Sequence, residues 1–477
     1  MKNGGFPWKA VFPLVVVFCL CPRAILAGST VDITLDPKSP GATNSADFIG
    51  LSYEMSVVDA SANGEHFFSP ANRPLVRMFQ TLGIKCLRVG GNTAERATVK
   101  VPDKADVDNL FGFARAAGVK VIYTLRLSDS NVVAAARTAK YIMDNYRSEL
   151  TCFALGNEPD KLVDTSRAYD DMVRNYVTAI TARSNAPDAV FCGPGTMHKD
   201  VQWANDFASD FAHNNHIVMV TQHQYPASSG RVATNIPAAC AKLLSTNLVP
   251  VYQKLYDTFV PTVRASGLRY RLEEANSYSN GGAAGASDAY ASALWGLDYL
   301  YWWATHGAAG INFHTGGYAA GARAPEPQKY VVFWNSPEGF TARPLAYGIK
   351  AFQHGSQGRF VPVHFNSNAD HVNLTAYGVL ATNGSLFVTL INKDTARACD
   401  ASITMAPSSS YDRAEAMFLA APNGDIMATT GVTLGGALIK DDGSWSGTWT
   451  PLAAKLNHGR FSINMPAASA AIVRVIQ

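Results

Sequence analysis

The sequence LTCFALGNEP occupies residues 150–159. Its first six residues form a short apolar run, as in a strand buried on both faces, and a Gly-Asn-Glu-Pro turn ends the run. Seven similar runs occur along the chain, at residues 48–53, 84–89, 119–125, 189–192, 217–221, 270–273 and 310–313. The chain therefore contains eight candidate strands, of which residues 150–155 are the fourth.

Longer stretches with the spacing of helices separate these runs. They cover residues 72–82, 104–117, 131–146, 165–183, 236–265 and 287–306. Eight strands alternating with helices over about 300 residues predict an α/β fold, a (β/α)8 TIM barrel. A doubly wound open sheet is the alternative, and it is disfavoured because no GxGxxG or phosphate-binding loop follows an early run.

The last helical stretch is rich in aromatic residues, namely Trp295, Tyr299, Tyr301, Trp302 and Trp303. Aromatic rings of this kind could stack on a sugar. A helix that follows the seventh strand lies on the outside of a barrel, however, so we expect these side chains to pack in the core.

The sequence pattern changes at about Arg359. From there on, segments of alternating apolar and polar residues are separated by Asn-Gly, Asp-Gly and Gly-Gly turns. This pattern predicts a C-terminal antiparallel β-sandwich. The segment VDITLD, residues 31–36, is polar at alternate positions and is expected to add an N-terminal strand to that sandwich. The predicted domains are residues 28–45 for this strand, 46–344 for the barrel and 345–477 for the sandwich.

The first 27 residues have the pattern of a signal peptide. Lys2 and Lys9 precede an apolar run at residues 11–21, and Ala24 to Ala27 form the exit, so cleavage is expected after Ala27. The run is shorter than the roughly 20 residues that span a bilayer, so we expect no membrane association after its removal. The mature protein is predicted to be secreted or periplasmic.

Composition excludes several classes of partner and cofactor. The chain has 40 Lys+Arg and 37 Asp+Glu without a basic run, so nucleic acid is not expected as a partner. Five cysteines follow the signal segment, namely Cys86, Cys152, Cys192, Cys240 and Cys399, and they are predicted to be core thiols. No CxxC or HExxH spacing occurs, so neither a metal nor another cofactor is predicted.

Carboxylates stand at the ends of the fourth and seventh runs. Glu158 follows the fourth, and Glu273 and Glu274 end the seventh. The carboxyl ends of barrel strands form the face that holds the site. A retaining glycosidase needs two carboxylates about 5 Å apart, one to protonate the leaving oxygen and one to attack the anomeric carbon. Asn-Glu-Pro alone is often only a turn, but the joint placement favours a catalytic pair.

Four stretches together resemble glycoside hydrolase family 79, the β-glucuronidases and heparanase-like enzymes. They are ALGNEPD (154–160), TQHQYP (221–226), RLEEANSYSNGG (271–282) and SDAYASALWGLDYLYW (287–302). The family belongs to clan A, the retaining barrels with the acid/base on strand four and the nucleophile on strand seven. The resemblance covers nearly the whole mature chain. It implies that Glu158 is the general acid/base and Glu274 the nucleophile.

Further candidates stand at the same strand ends. Arg88 is expected to hold Glu274 ionised, Asn157 is similar to the clan's asparagine for the sugar 2-hydroxyl, and Tyr225 resembles a tyrosine that donates to the nucleophile. Alternatively, Arg88 is part of a structural ion pair, Asn157 is a turn residue and Tyr225 is a buried aromatic. His223 and Glu54 are the remaining candidates; His223 is more often a packed strand-end histidine than a proton carrier. Glu273 should point to the side opposite Glu274, because strand side chains alternate.

The resemblance implies that Gly317 and Tyr318 help to bind a substrate carboxylate, although Gly317 could be a plain turn glycine. Ser279 stands where a second tyrosine is expected. Only about thirty residues separate the first two strands, too few for the internal linker of heparanase, so exo action is favoured.

The resulting hypothesis is a retaining exo-acting β-glucuronidase. Its substrate would be a glucuronide or a glucuronic-acid-bearing glycan, hydrolysed by double displacement. A β-glucosidase, a β-xylosidase and a non-catalytic carbohydrate-binding barrel are the alternatives.

Overall fold

The computed structural model describes Met1 and residues 29–316, 328–336, 338–405, 411–453 and 459–476. Strands β1 to β9 are Ser29–Leu35, Ile49–Glu54, Cys86–Gly90, Lys120–Leu125, Leu150–Leu155, Phe191–Met197, Ile217–Gln224, Arg269–Ala275 and Ile311–His314. Strands β2 to β9 are parallel and close into a barrel in chain order. The predicted TIM barrel is confirmed, and the open sheet is excluded.

The described helices α1 to α9 surround this barrel. They are Arg73–Leu82, Lys104–Ala117, Val132–Tyr146, Ser166–Ile180, Gln202–Asp210, Ile236–Leu244, Val249–Ala265, Tyr290–Thr305 and Pro344–Gly355. The single helix predicted over residues 236–265 is therefore wrong. It is two helices, because Ser245 ends α6 in extended backbone and Pro250 stands in the first turn of α7, where its missing N–H costs nothing.

The interior of the barrel is filled below the carboxyl ends of its strands. Cys86, Cys152 and Cys192 pack there with Met219. All five cysteines outside the predicted signal segment are free and buried, which confirms that they are core thiols. The chemistry of the barrel is thus confined to the strand ends above this apolar layer.

The remaining strands form the two sheets of the second domain and one separate pair. Strands β10 to β21 are Phe333–Ser336, Gly339–Ala342, Arg359–Val361, Val363–Asn368, Leu374–Leu380, Leu386–Asn392, Cys399–Met405, Arg413–Ala420, Thr433–Leu434, Thr450–Ala453, Arg460–Met465 and Ser469–Ile476. One sheet has the order β13-β1-β16-β20, and the other is β12-β14-β15-β21-β17-β18 with β19 beside β17. The predicted N-terminal strand is confirmed, since β1 pairs with β13 and β16. Strands β10 and β11 form a separate pair.

Helix α8 joins the barrel to the sandwich. Its residues 290–304 are all buried, which confirms the core-packing interpretation of its aromatic residues. Asp298 of α8 accepts hydrogen bonds from Thr375 and Tyr377, both at 2.8 Å, and from Lys393 at 2.6 Å. The two domains are therefore held by a buried ionic contact as well as by apolar packing.

Helix α9 begins at the predicted boundary between the two domains and packs against α8, where Gly348 has no room for a Cβ beside the Ala293 carbonyl. The division at residue 345 stays a prediction. The predicted signal peptide lies outside the described residues apart from Met1. Among the helices described, none combines the length and the apolar character that crossing a bilayer requires.

Candidate active site

Glu158 and Glu274 converge at the carboxyl end of the barrel. Glu158 stands after β5 in left-handed backbone with φ 47°, and its N–H donates to the Gly195 carbonyl of β6 at 3.2 Å. Glu274 is the last residue but one of β8. An oxygen of each carboxylate and a ring nitrogen of His223 all lie within 4.8 Å of one another. Residues 116 positions apart in the chain therefore share one cavity (274 minus 158).

Glu274 is held at both oxygens. Arg88 donates from Nη1 to Oε2 at 2.8 Å, and the Tyr225 hydroxyl donates to Oε1 at 2.8 Å. The same guanidinium donates from Nη2 to Oδ1 of Asn157 at 2.6 Å and from Nη1 to the Ser52 hydroxyl at 3.1 Å. The structure thus brings three of the predicted supporting residues, Arg88, Asn157 and Tyr225, into one network with Glu274.

These contacts decide the ionisation of Glu274. Burial acts to raise its pKa, but the charges of His314, His223 and Arg88 and the hydrogen bond from Tyr225 hold the pKa well below its usual value. Burial and the neighbouring Glu274 raise the pKa of Tyr225 far above its usual value, so its hydroxyl stays a donor. Glu274 is accordingly a carboxylate at neutral pH, held in a fixed orientation.

Glu158 has different neighbours. Its Oε1 lies 3.2 Å from Nδ1 of His223, and its Oε2 pairs with Nζ of Lys161. Burial acts to raise the pKa of Glu158, but the hydrogen bond and charge of His223 lower it below its usual value. Burial acts to lower the pKa of His223, but Glu274, Glu158 and Glu273 raise it to about 9. The proton of the Glu158–His223 pair therefore resides on His223 at neutral pH.

The expectation that Glu273 points to the side opposite Glu274 is wrong, because its side chain lies inside the barrel. Its Oε1 accepts a hydrogen bond from Thr221 at 2.9 Å and lies 3.6 Å from Nε2 of His223. The reason is a bulge, because Gln222 of β7 pairs with Leu272 whereas the next residue, His223, pairs with Glu274. The extra residue interrupts the strict alternation of side chains and turns Glu273 into the barrel interior.

Glu54 ends β2 at the edge of the same cavity. Its Oε2 accepts from the Thr93 N–H at 2.7 Å and from the Thr93 hydroxyl at 2.6 Å, and its Oε1 lies 3.7 Å from Nε2 of His314. Burial acts to raise the pKa of Glu54, but His314 and Thr93 lower it. This candidate is thus an oriented acceptor in the cavity wall.

The cavity over these groups has a volume of about 730 Å³. Its wall includes the carboxylates Glu54, Glu158 and Glu274 and the cations Lys161, Arg231 and Lys329. Ser279 lines it where a tyrosine was expected, and Tyr330 lies beside Tyr225 with ring centroids 6.1 Å apart. Gly317 and Tyr318 lie outside the described residues.

Sequence reasoning missed several residues of the site, and two of them lie next to Glu274 and Glu158 themselves. His314 ends β9 with Nδ1 3.7 Å from Oε2 of Glu274, and Lys161 contacts Glu158. His314 could have been found, because it follows the eighth apolar run directly. Lys161 has no comparable signal beyond its place three residues after Glu158.

Glu158, His223 and Glu274 could in principle ligate a metal ion, since one atom of each lies within 4.8 Å of the others. Their environment does not suit one. The ion would replace the proton of His223 and would lie near the Arg88 guanidinium, which is already paired with Glu274 at 2.8 Å. The donor set fits a proton-exchanging pair beside an ionised carboxylate better.

No protein-family model matches the chain, and no curated protein matches it. Solved structures do. A family 51 arabinofuranosidase from Xanthomonas axonopodis pv. citri has a TM-score of 0.69 at 14% identity, over 94% of this chain and 100% of that one. A 4-O-α-L-rhamnosyl-β-D-glucuronidase from Fusarium oxysporum 12S has a TM-score of 0.69 at 18% identity, over 92% and 99%.

A family 44 xyloglucanase from Paenibacillus polymyxa has a TM-score of 0.58 at 10% identity, over 94% of this chain and 100% of that one. At such identities the likeness shows a shared two-domain fold and no more. The structural neighbours are glycoside hydrolases of clan A. No sequence comparison supports family 79 in particular.

Proposed function

We propose that this protein is a retaining glycoside hydrolase with Glu274 as nucleophile and Glu158 as general acid/base. The observation that carries the proposal is the separation of the two carboxylates, whose closest oxygens lie within 4.8 Å. Retaining glycosidases have carboxyl groups about 5–5.5 Å apart, whereas inverting enzymes need about 6.5–9.5 Å to admit a water molecule.

The first step is attack by Glu274 on the anomeric carbon. The bond from that carbon to the leaving oxygen breaks as the bond to the carboxylate forms, and Glu158 delivers a proton to the leaving oxygen. His223 supplies this proton to Glu158, because its Nδ1 lies 3.2 Å from Oε1 and carries the proton of the pair. Arg88 and Tyr225 keep Glu274 ionised and therefore nucleophilic until the attack.

The second step reverses these roles. Glu158 takes a proton from water, the hydroxide oxygen bonds to the anomeric carbon, and Glu274 leaves as a carboxylate. Asn157 accepts from Arg88 through its Oδ1, which leaves its NH₂ group as the donor that the proposal assigns to a sugar hydroxyl. Such a contact to the 2-hydroxyl strengthens in the transition state.

For the substrate, the proposal is terminal β-linked glucuronic acid. Arg231 and Lys329 in the cavity wall suit an anionic sugar, and a Fusarium oxysporum protein of the same fold is a rhamnosyl-glucuronidase by name. The family resemblance adds Gly317 and Tyr318 as carboxylate ligands. A β-glucosidase or β-xylosidase is the second candidate, because Ser279 lines the cavity where a carboxylate-binding tyrosine was expected.

The test compares release of chromophore from aryl β-D-glucuronide, β-D-glucoside, β-D-xyloside and α-L-arabinofuranoside. Wild type is compared with Glu274→Gln and with Glu149→Gln, a control that removes a carboxylate paired with Arg115 on the surface. Glu274→Gln should lose turnover by several orders of magnitude while it stays folded, and Glu149→Gln should keep it. Full activity of Glu274→Gln would contradict the assignment of Glu274 as nucleophile. Absence of turnover in the wild type would instead favour a non-catalytic binding barrel.

Two further readings complete this test. The first product seen by proton NMR must keep the anomeric configuration of the substrate, because double displacement inverts it twice. Preferred turnover of the glucoside or xyloside would keep the mechanism and reject the glucuronide.

We also propose that residues 1–27 are a signal peptide and that the mature protein is secreted or periplasmic. The support is the sequence pattern of residues 2–27 alone. N-terminal sequencing of the exported protein should give Gly28 as its first residue, and a mature chain that begins at Met1 would contradict the proposal.

A further inference from the structure

We propose that Glu273 is a positioning residue that holds His223 in register for proton exchange with Glu158. This inference rests on the proposed function and adds a third carboxylate to the two that the mechanism requires. Glu273 touches neither the leaving group nor the anomeric carbon in this scheme and acts only through the imidazole of His223.

Both nitrogens of His223 face carboxylate oxygens. Nδ1 lies 3.2 Å from Oε1 of Glu158, and Nε2 lies 3.6 Å from Oε1 of Glu273. All three side chains are buried. An ionised carboxylate can only accept a hydrogen bond, so a ring between two of them is matched when each of its nitrogens carries a proton. The geometry therefore places an imidazolium between the acid/base and Glu273.

The surroundings of Glu273 are shaped for this contact. Thr221 donates to its Oε1 at 2.9 Å. Gly195 of β6 faces it from the other side, where a Cβ would collide with that oxygen and come within 3.4 Å of Nε2 of His223. The Gly195 carbonyl also accepts the N–H of Glu158 at 3.2 Å. One glycine thus leaves room for Glu273 and His223 and helps to anchor Glu158.

A buried carboxylate without a countercharge is costly, and Oε2 of Glu273 has no hydrogen-bond partner among the described residues. His223 is the cation in contact with it. The other groups that act on His223 are Glu158 after β5 and Glu274 on β8, and Glu274 is in turn paired with Arg88 on β3 and lies near His314 on β9. Arg88 also interacts with this charge, since Glu273 and Glu274 together outweigh burial and raise the pKa of Arg88. His223 is the group that lies between Glu273 and Glu158.

The role of Glu273 follows from the proton balance. Before the glycosidic bond breaks, the proton on Nδ1 of His223 moves to Oε1 of Glu158, which leaves a neutral ring with its remaining proton on Nε2. Glu273 favours that tautomer through its charge, because its Oε1 lies 3.6 Å from Nε2, an ion-pair distance longer than a hydrogen bond. The bare Nδ1 then faces the carboxyl proton of Glu158. When Glu158 later takes a proton from water, the same path returns it to His223. The pair ends each cycle with the proton it began with.

The test is Glu273→Gln, which keeps the size of the side chain and the acceptor for Thr221 but removes the charge. An opposite charge this close shifts a pKa by about 1–3 units. The pKa of His223, followed by NMR of its labelled ring, should fall by that amount, and the alkaline limb of kcat/KM should move to lower pH with it. The other members of the chain's 11 histidines serve as internal references.

Glu54→Gln is the matched control, because it removes another buried carboxylate from the cavity wall, next to His314 instead of His223. It should leave the titration of His223 near its wild-type position. If Glu273→Gln does not fold, Thr221→Val weakens the hold on Glu273 and should shift the same two readings in the same direction by less.

An unchanged NMR titration of His223 in Glu273→Gln would overturn the proposal, and so would a loss of kcat/KM by one factor at every pH. A shifted titration with an unmoved alkaline limb would also overturn it, because the pair would then not control turnover. Failure of the proposed function is a separate result. In that case the wild type cleaves no glycoside of the panel, while the NMR titration still decides whether Glu273 pairs with His223.

Discussion

Arg88 on β3 donates a 2.8 Å hydrogen bond to Glu274 on β8, although β9 and β2 lie between these two strands. Its other terminal nitrogen binds Asn157 after β5 at 2.6 Å. A single fully buried guanidinium therefore joins three strand ends. Arg88 therefore fixes the position of Glu274, the proposed nucleophile, relative to Asn157, which precedes the proposed acid Glu158.

Replacing Arg88 by methionine should destabilise the fold, because it leaves the Glu274 charge buried without its partner. Breaking a buried pair from one side costs about 3–5 kcal/mol. Urea unfolding measures the change. Arg115→Met, which breaks the largely exposed pair with Glu149, should cost no more than about 1 kcal/mol. Equal losses in the two variants would show that Arg88 is not energetically coupled to the nucleophile.

Tyr225→Phe removes one hydrogen bond of 2.8 Å from Glu274 without changing the shape of the side chain. Hydrogen bonds to charged groups contribute about 1.5–3 kcal/mol, so kcat/KM should fall roughly 10–100-fold. The acid limb of the pH profile should move upward, since the hydrogen bond lowers the pKa of Glu274. Initial rates between pH 3 and 7 test both. Tyr141→Phe on the surface of α3, a hydroxyl bonded to Asp108, should leave them unchanged.

Glu158→Ala should affect substrates according to their leaving group. A nitrophenolate leaves without a proton, whereas an alkoxide needs one, so the loss in kcat/KM should be much larger for an alkyl glycoside. Paired kinetics on aryl and alkyl glycosides of one sugar give the answer. Equal losses for both would remove Glu158 from the role of general acid.

Stability should depend on pH through His223, whose pKa is raised from 6.5 to about 9 in the folded state. A raised pKa of a base contributes stability that is fully present below pH 6.5 and is lost as pH rises through about 9. The difference in unfolding free energy between wild type and His223→Gln should therefore shrink between these values. His198→Gln is the control. Burial lowers the pKa of His198, so its contribution to the free energy of unfolding should grow with rising pH instead of shrinking.

Asp298→Ala should weaken the contact between barrel and sandwich. It leaves the buried Lys393 ammonium without the carboxylate that accepts its 2.6 Å hydrogen bond. We expect a loss of about 3–5 kcal/mol in guanidinium unfolding, with kcat/KM of the folded fraction unchanged because Asp298 does not line the cavity. Asp144→Ala breaks the exposed pair with Lys140 and should cost at most about 1 kcal/mol.

Much of the fold was readable from local pattern. The apolar spacing predicts a helix over residues 104–117, and α2 has the same bounds. A capping box of Asp103 and Asp106 begins it, and Gly118 ends it in left-handed backbone. The break between α6 and α7 was missed, because the apolar spacing continues across it. The helices α5, Gln202–Asp210, and α9, Pro344–Gly355, were also missed, because short helices are stabilised mainly by tertiary packing.

The site was predicted where a residue lies at or just beyond the carboxyl end of a strand. Glu158, Glu274 and Arg88 needed only the count of strands and the rule that their carboxyl ends meet. Lys161, Ser52 and Thr93 could not be predicted in this way, because they enter the site through loops and neighbouring strands. The proposed roles of Gly317 and Tyr318 remain predictions.

By itself the sequence determined the barrel, the added N-terminal strand and the pair of glutamates, because each depends on apolar periodicity or on position along a strand. Only the tertiary structure decided that Glu273 faces His223 and that Glu158 and His223 share one proton. Both depend on a bulge between β7 and β8 and on contacts across the barrel. The free energy that sets such a bulge comes from the packing of the whole sheet, so no local pattern records it.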